Sequence, residues 1–255
     1  MTQRVFGIIP ARMGASRFPG KPLVEICGKS MIRHVAETTL KFSEWNAVYV
    51  ATCDDEIVEH LKGDYKVALT SSHHTRALDR VAEAYINECS DPRDDDIIVC
   101  VQGDEPLLDV NMIAATITPI KNSSHIRATV LAMPIRNEKI WKNPDTVKLL
   151  FNDEGKVLYT SRTPVPYAKN GFSNDLGAYR IVGVFAFEWA ALKEFTEAPE
   201  SRLEQLEACD SNRIFELNFD QYVARIDYSE CFSVDSPEDI LLVEKVLKKS
   251  GQTNV

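Results

Sequence analysis

Residues 5–23 read Val5-Phe-Gly-Ile-Ile-Pro-Ala-Arg-Met-Gly-Ala-Ser-Arg-Phe-Pro-Gly-Lys-Pro-Leu23. Residues 5–9 form a short apolar run that ends at a proline, which predicts a buried strand. A loop of small residues with three cations follows. Backbone amides left uncovered by small residues can bind phosphate oxygens together with the cationic side chains. We therefore predict a polyphosphate-binding loop, whose candidate residues are Arg12, Gly14, Ser16, Arg17 and Lys21.

The spacing of this loop differs from that of the common nucleotide motifs. Five residues separate Gly14 from Gly20, and a proline follows Lys21, whereas a P-loop has four residues between its glycines and Ser or Thr after its Lys. Pro19 and Pro22 also prevent a helix from starting inside the loop. There is no G-x-G-x-x-G motif in the loop. The alternative is a basic surface loop that binds no ligand. Three cations that follow one strand among small residues favour a phosphate-binding loop over this alternative.

Composition limits the classes of partner. The 255 residues carry 29 Lys and Arg against 38 Asp and Glu, a net charge of −9. This balance argues against nucleic acid or an anionic membrane as the main partner, because both require a basic face. The six cysteines are scattered without a C-x-x-C pair, which is typical of reduced thiols in a cytoplasmic protein. No signal-peptide pattern or membrane-spanning run is present, and we expect a soluble, cytoplasmic protein.

Strands and helices alternate along the first half of the chain. Beside the first strand, we predict strands at 47–51, 67–70 and 97–102, with helical patterns between them. Such alternation predicts a mostly parallel sheet, in which ligands bind at the carboxyl ends of the strands. Residues 1–127 are therefore predicted to form a nucleotide-binding α/β core, with the cationic loop and the segment after residue 101 in one crevice.

Two carboxylates are candidates for a metal site in this crevice. Asp104 follows a predicted strand within Gln102-Gly-Asp-Glu-Pro106. Asp235 precedes Ser236, whose motif S-P-E-D predicts the start of a helix without needing Asp235 as a cap. Carboxylates together with phosphate oxygens suit Mg²⁺. The alternatives are a simple Asp-Gly turn for the first residue and interaction with the helix dipole for the second.

The pattern of predicted secondary structure changes in the second half of the chain. Residues 128–200 contain strand patterns and an Asn-Asp-Glu-Gly turn typical of antiparallel hairpins. We predict a β-rich insertion there, which serves as a lid or a dimer surface. Residues 201–255 are predicted to return to the core, with a helix over 202–212, a late strand over 221–226 and a closing helix.

Four motifs resemble those of one family. They are I-P-A-R-x-x-x-S-R-x-P-G-K-P-L at the start, Q-G-D-E-P, Y-x-S-R and V-D-x-P-E-D. Together they resemble the CMP-Kdo synthetases (3-deoxy-manno-octulosonate cytidylyltransferases), which couple CTP to a sugar acid and release pyrophosphate. The resemblance implies a nucleotide-diphospho-sugar transferase-like α/β sandwich with a mostly parallel central sheet. It also implies a homodimer formed through the β-rich insertion.

The resemblance also implies roles for single residues. Mg²⁺ held by Asp104 and Asp235 would polarise the α-phosphate of CTP, and the motifs contain no obvious general base. Gln102 and Arg162 match acceptor-side positions, and Arg80 joins the nucleotide-binding set. The residues expected to carry catalysis are Arg12, Lys21, Asp104 and Asp235.

The sugar-acid motifs depart from the family pattern. S-G-T-[DE]-R is replaced by residues 76–80, which read R-A-L-D-R, and H-L-G-x-Y by residues 181–185, which read I-V-G-V-F. The family's E-Q-L-R is expected to correspond to residues 210–213, which read D-S-N-R. Lost polar contacts weaken discrimination for the original substrate. We therefore expect an altered sugar acid, with Arg76 as a new anion partner and Phe185 and Asp210 at the acceptor.

Three alternatives stay open at this point. The substitutions are also compatible with family drift that leaves Kdo as the acceptor. An enzyme of the same fold that acts on another anionic acceptor, such as a phosphonate, is a second possibility. The third is a nucleotide-binding paralogue without catalysis, which the retention of both candidate metal ligands disfavours.

Overall fold

One mixed sheet organises the protein in a computed structural model that describes residues 3–14, 17–249 and 251. The strands are β1 (Val5–Pro10), β2 (Glu25–Ile26), β3 (Lys29–Ser30), β4 (Ala47–Thr52), β5 (Val67–Leu69), β6 (Ile97–Val101), β7 (Ala128–Pro134), β8 (Lys148–Phe151), β9 (Val157–Ser161), β10 (Tyr179–Glu188) and β11 (Gln221–Arg225). The α-helices are α1 (Met31–Leu40), α2 (Asp55–Leu61), α3 (Ala77–Glu88), α4 (Val110–Asn122), α5 (Glu138–Lys142), α6 (Trp189–Glu197), α7 (Arg202–Glu207) and α8 (Pro237–Lys249).

The main path of the sheet runs in the order β11-β7-β10-β6-β1-β4-β5. β1 pairs in parallel with β4 and β6, β4 pairs in parallel with β5, and β11 pairs in parallel with β7. β10 is antiparallel to both of its neighbours. The predicted α/β class with a mostly parallel central sheet is confirmed.

Both faces of the sheet are covered, which explains why its central strands read as unbroken apolar runs. Successive residues point to opposite faces. Ile9 and Val99 belong to the apolar cluster that includes helices α1 and α4, whereas Ile8 and Ile98 belong to the cluster that includes α3 and α6. The two layers of helices leave the carboxyl ends of β1 and β6 free to build a site.

Three helices differ from the sequence-based prediction, and one of them is the short helix α5, which we did not predict. We did not predict α4, whose hydrophobic pattern is interrupted by threonines and by Pro119. Asp109 caps this helix by accepting a hydrogen bond from the backbone N–H of Asn111 at 2.7 Å. The helix predicted over 202–212 ends instead at Glu207, because Ala208 adopts a left-handed conformation (φ 46°) that terminates it. A 3₁₀ helix, Asp210–Glu216, follows.

Residues 128–200, which we expected to form a β-rich insertion, are built into the sheet. Strands β7 and β10 occupy its middle, while β8 and β9 lie off the main path. The strands that border the region therefore share the core of the first half. The division of the chain at residues 127 and 200 stays a prediction. Among the described helices, none combines the length and the apolar character that crossing a bilayer requires.

Candidate active site

Two cavities meet at the carboxyl ends of the central strands. The small cavity, of about 270 Å³, lies between the loop after β1, the start of α3 and the end of β6. The large cavity, of about 1200 Å³, extends from there along β10 towards α7 and α8. The polar residues that line both are Arg17, Thr75, Arg76, Gln102, Asp104 and Asp235.

The structure brings most of the predicted site residues to these cavities. The small cavity is also lined by Arg12, Lys21 and Arg80. The large one is also lined by Arg162, Phe185 and Asp210. Gly14 is described but is not among the lining residues, and Ser16 lies outside the described residues.

Lys21 and Asp104 form a partly buried ion pair. Lys21 Nζ donates to Asp104 Oδ2 at 2.7 Å and to the carbonyl of Val234 at 2.8 Å. The Lys21 side chain is only 13% exposed, so at this residue the alternative of a basic surface loop does not fit. Gly103 allows this arrangement, because a Cβ there would lie 2.8 Å from the carbonyl oxygen of Pro10. The turn after β6 therefore packs directly against the end of β1.

Arg17 bridges two carboxylates on different segments. Its Nη1 donates to Asp145 Oδ1 at 2.5 Å and its Nη2 to Asp235 Oδ1 at 2.8 Å. Burial raises the pKa of Asp235, an effect that the Arg17 guanidinium opposes. At the start of α8, Asp239 Oδ2 accepts the backbone N–H groups of Asp235 and Ser236. The Asp235 carboxylate is therefore not used for capping, which leaves it available at the cavity.

The donor set fits a magnesium ion. Asp104 Oδ1 is buried and has no hydrogen-bond partner among the described residues, as expected for an oxygen reserved for a ligand. Within residues 3–14, 17–249 and 251, no cluster of three His, Cys, Asp or Glu side chains forms a metal site. Mg²⁺ usually binds one or two carboxylates and takes its other ligands from water and phosphate. Asp104 and Asp235 match that requirement.

Glu105 is a site residue that the sequence analysis missed. It is 1% exposed, and its Oε1 accepts the backbone N–H of Gly183 at 3.0 Å and the hydroxyl of Ser233 at 2.5 Å. Burial and the charge of Asp104 raise the pKa of Glu105 to about 7. The contact is so close that a Cβ at Gly183 would lie 2.7 Å from Glu105 Oε1. The sequence did contain a signal for Glu105: it follows the candidate metal ligand Asp104 at the end of an apolar strand.

Arg162 lies at the large cavity, but its guanidinium already has backbone partners. Nε and Nη2 donate to the carbonyls of Glu207 and Ala208 at 2.8–3.1 Å, and Nη1 donates to that of Pro144 at 2.9 Å. The side chain thus ties the end of β9 to two loops. Its role as an acceptor contact stays a prediction.

Arg76 is also engaged within the protein. Its Nε donates to Asp79 at 2.7 Å, and its Nη1 lies 3.4 Å from Glu204 Oε1. Two carboxylates of the protein therefore already neutralise the charge of Arg76. Its role as an anion partner for the acceptor stays a prediction. Burial raises the pKa of Asp210 in the same wall, against the influence of Arg76.

The alignment of E-Q-L-R with residues 210–213 was wrong. Residues 204–206 read E-Q-L, and Glu204 and Gln205 line the large cavity. Only the last position departs, where Glu207 replaces Arg. Arg213 is instead a buried structural residue that binds both carboxylate oxygens of Glu204, at 2.7 and 2.8 Å.

Residues 181–185, which depart from the family pattern H-L-G-x-Y, do lie at the large cavity. Ile181, Gly183 and Phe185 all line it, and the two large side chains belong to the same face of the sheet. We call these three residues the β10 strip. Where the family has an imidazole and a phenol, the strip has no side-chain hydrogen-bonding group.

The sequence profile described as cytidylyltransferase matches residues 6–225 of this chain. The chain belongs to the cytidylyltransferase family. It is 37% identical to a 3-deoxy-manno-octulosonate cytidylyltransferase from Thermodesulfovibrio yellowstonii, over 94% of this chain and 96% of the relative. It is also 36% identical to an 8-amino-3,8-dideoxy-manno-octulosonate cytidylyltransferase from Shewanella sediminis, over 94% and 97%. The chain is therefore a nucleotidyltransferase of this family.

Solved structures agree with the observed fold. A CTP complex of CMP:2-keto-3-deoxy-manno-octonic acid synthetase superposes with a TM-score of 0.87 at 28% identity, covering 97% of this chain and all of the other. A 4-diphosphocytidyl-2C-methyl-D-erythritol synthase from Anaerococcus prevotii gives a TM-score of 0.64 at 18% identity, over 97% of each chain. The second likeness shows the fold alone.

Proposed function

We propose that this cytidylyltransferase couples CTP to a sugar acid, Kdo or a Kdo-like 2-keto acid, and depends on Mg²⁺. The observation that carries the proposal is the small cavity, where cations and two carboxylates converge at the strand ends. The cations suit a triphosphate, and the carboxylates suit the metal that accompanies it. The large cavity beside it offers room for the acceptor.

The proposed reaction needs little covalent chemistry from the protein. The anomeric hydroxyl oxygen of the acceptor attacks the α-phosphorus of CTP, the bond from that phosphorus to the α–β bridging oxygen breaks, and pyrophosphate leaves. The hydroxyl proton passes to solvent. Arg12, Arg17 and Lys21 neutralise the phosphates, which is where preorganised charge contributes most. Bound Mg²⁺, held by Asp104 and Asp235, would supply Lewis-acid polarisation of the α-phosphate.

The β10 strip favours an acceptor that differs from Kdo. A buried polar substrate group that meets Ile181 and Phe185 instead of an imidazole and a phenol loses hydrogen bonds, at a cost of about 1–3 kcal/mol each. Among the relatives, one is named for Kdo and another for its 8-amino derivative. An altered acid is thus part of the proposal. The protein is further proposed to be a cytoplasmic homodimer.

Pyrophosphate release tests this proposal. The four nucleoside triphosphates are each combined with Kdo, its 8-amino derivative, another 2-keto sugar acid and a small phosphonate. We expect product with CTP and a sugar acid only. A kcat/KM for Kdo above roughly 10⁴ M⁻¹s⁻¹ would overturn the altered acceptor but not the reaction. No release with any combination would favour the non-catalytic paralogue.

A further inference from the structure

Arg17 binds two carboxylates where the small and large cavities meet. We call this place the cavity junction. Arg17 contacts Asp235 at the start of α8 and Asp145 in the loop before β8. All three residues line the large cavity, and Arg17 and Asp235 also line the small one. The bridge therefore crosses the place where a nucleotide and an acceptor would meet.

Asp145 is held in place by a buried anchor. Its backbone N–H donates to Asn143 Oδ1 at 2.9 Å. On either side of it, the carbonyls of Asn143 and Thr146 accept hydrogen bonds from Lys148 Nζ at 2.8 and 2.6 Å. Lys148 is fully buried. The loop thus presents Asp145 to the junction from a fixed position, whereas Arg17 is 56% exposed and able to change partners.

The cations compete with the proposed metal for its ligands. Arg17 occupies Asp235 Oδ1, and Lys21 occupies Asp104 Oδ2. A divalent ion that binds both carboxylates must displace part of these contacts, and the triphosphate offers new partners to the released cations. CTP and Mg²⁺ would then bind as one coupled exchange rather than independently.

We infer that Asp145 is a positioning residue for this exchange. It retains Arg17 at the cavity junction when Asp235 turns to the metal. Without Asp145, Arg17 has only Asp235 as a carboxylate partner among the described residues and competes more strongly with Mg²⁺. The inference rests on the proposed metal site, and it assigns a role to a residue outside the family motifs quoted above.

Calorimetric titration of CTP at a series of Mg²⁺ concentrations, without acceptor, tests this role. In the wild type we expect Mg²⁺ to tighten CTP binding. In Asp145→Asn, the Mg²⁺ concentration for half of this effect should rise about two- to five-fold, the range for a partly exposed ion pair. The matched control is Glu200→Gln, which removes a charge at the large cavity but has no contact with Arg17. It should leave the Mg²⁺ dependence unchanged.

A double-mutant cycle separates the bridge from simple loss of charge. The effect of Asp145→Asn should disappear in an Arg17→Ala background, because the bridge is then absent. An equal effect in both backgrounds, or the same shift in Glu200→Gln, would overturn the inference alone. If Mg²⁺ does not tighten CTP binding to the wild type, the proposed metal site falls and the inference falls with it.

Discussion

The two carboxylate oxygens of Asp104 differ in their contacts. Oδ2 binds Lys21, whereas Oδ1 is buried without a partner among the described residues. We expect Asp104→Asn and Asp235→Asn each to lower turnover about a hundredfold or more, the scale of losing a major electrostatic stabiliser. Steady-state pyrophosphate release at saturating CTP and Mg²⁺ measures this.

Asp109→Asn is the matched control for these two variants, because asparagine is as good a helix cap as aspartate and the residue lies outside both cavities. Its turnover should equal that of the wild type. Near-normal turnover in Asp235→Asn would contradict a metal role for that residue. It would leave Asp235 as a partner of Arg17 only.

Glu105 makes stability depend on pH. Burial raises its pKa from 4.5 to about 7, so between these values the folded protein holds a proton that the unfolded chain has lost. The free energy of unfolding therefore falls as pH rises through this window. At about 1.4 kcal/mol per pKa unit, the fall amounts to as much as about 3 kcal/mol.

Glu105→Gln cannot ionise and should remove this contribution. Urea unfolding at pH 5 and pH 8 measures how the free energy of unfolding changes with pH in the wild type and in the variant. The other carboxyls that burial perturbs, such as Asp210, are present in both proteins and cancel in the comparison. Equal pH dependence in the two would show that Glu105 ionises normally in the folded state.

At the scale of elements, one buried lysine fixes the hairpin that borders the large cavity. Lys148 Nζ on β8 donates to the carbonyls of Asn143, Thr146 and Arg162 at 2.5–2.8 Å. Lys148→Met would keep the apolar stem but leave three carbonyls without this donor. We expect a loss of about 2–4 kcal/mol in the free energy of unfolding, measured by denaturant titration.

Lys156→Met, in the turn of the same hairpin, is the control. Lys156 is a surface residue paired with Asp220, and its replacement should barely move the unfolding midpoint. A similarly small change in Lys148→Met would mean that water replaces the lost donor. The loop before β8 would then not depend on its lysine anchor.

At the scale of the whole molecule, the proposed homodimer predicts a covered surface in residues 128–200. Among the strands that the structure describes, β9 pairs only with β8, and an isolated bridge joins Lys156 to Tyr222 beside it. Its Leu158 is 54% exposed. An open strand edge with an exposed leucine is suited to association.

Leu158→Glu should therefore raise the monomer fraction in light scattering over a series of protein concentrations. Leu69→Glu on the edge strand β5, where the leucine is 58% exposed, is the control outside the region and should stay dimeric. A wild-type monomer at all concentrations would contradict the proposed assembly. Equal dissociation of both variants would move the interface away from this region.

Much of the fold follows from local sequence. The apolar runs at 5–9 and 97–102 predicted central strands because such runs are short, branched and bounded by turn residues. The alternation of strands and helices then predicted the parallel sheet. The helix α4 was missed because threonines and Pro119 obscure its period, and α7 ended early because a single left-handed residue leaves no pattern in the sequence.

Local sequence was enough to predict the reactive groups of the site: the cations after β1, Asp104 after β6, and Asp235 before α8. It could not predict which groups these side chains contact. Arg17 meets Asp145 and Asp235 across separations of 128 and 218 residues, and Glu105 meets Gly183 across 78. The physical reason is that periodicity and turn chemistry act between near neighbours. Such distant pairs depend on the order in which the whole sheet places its strands.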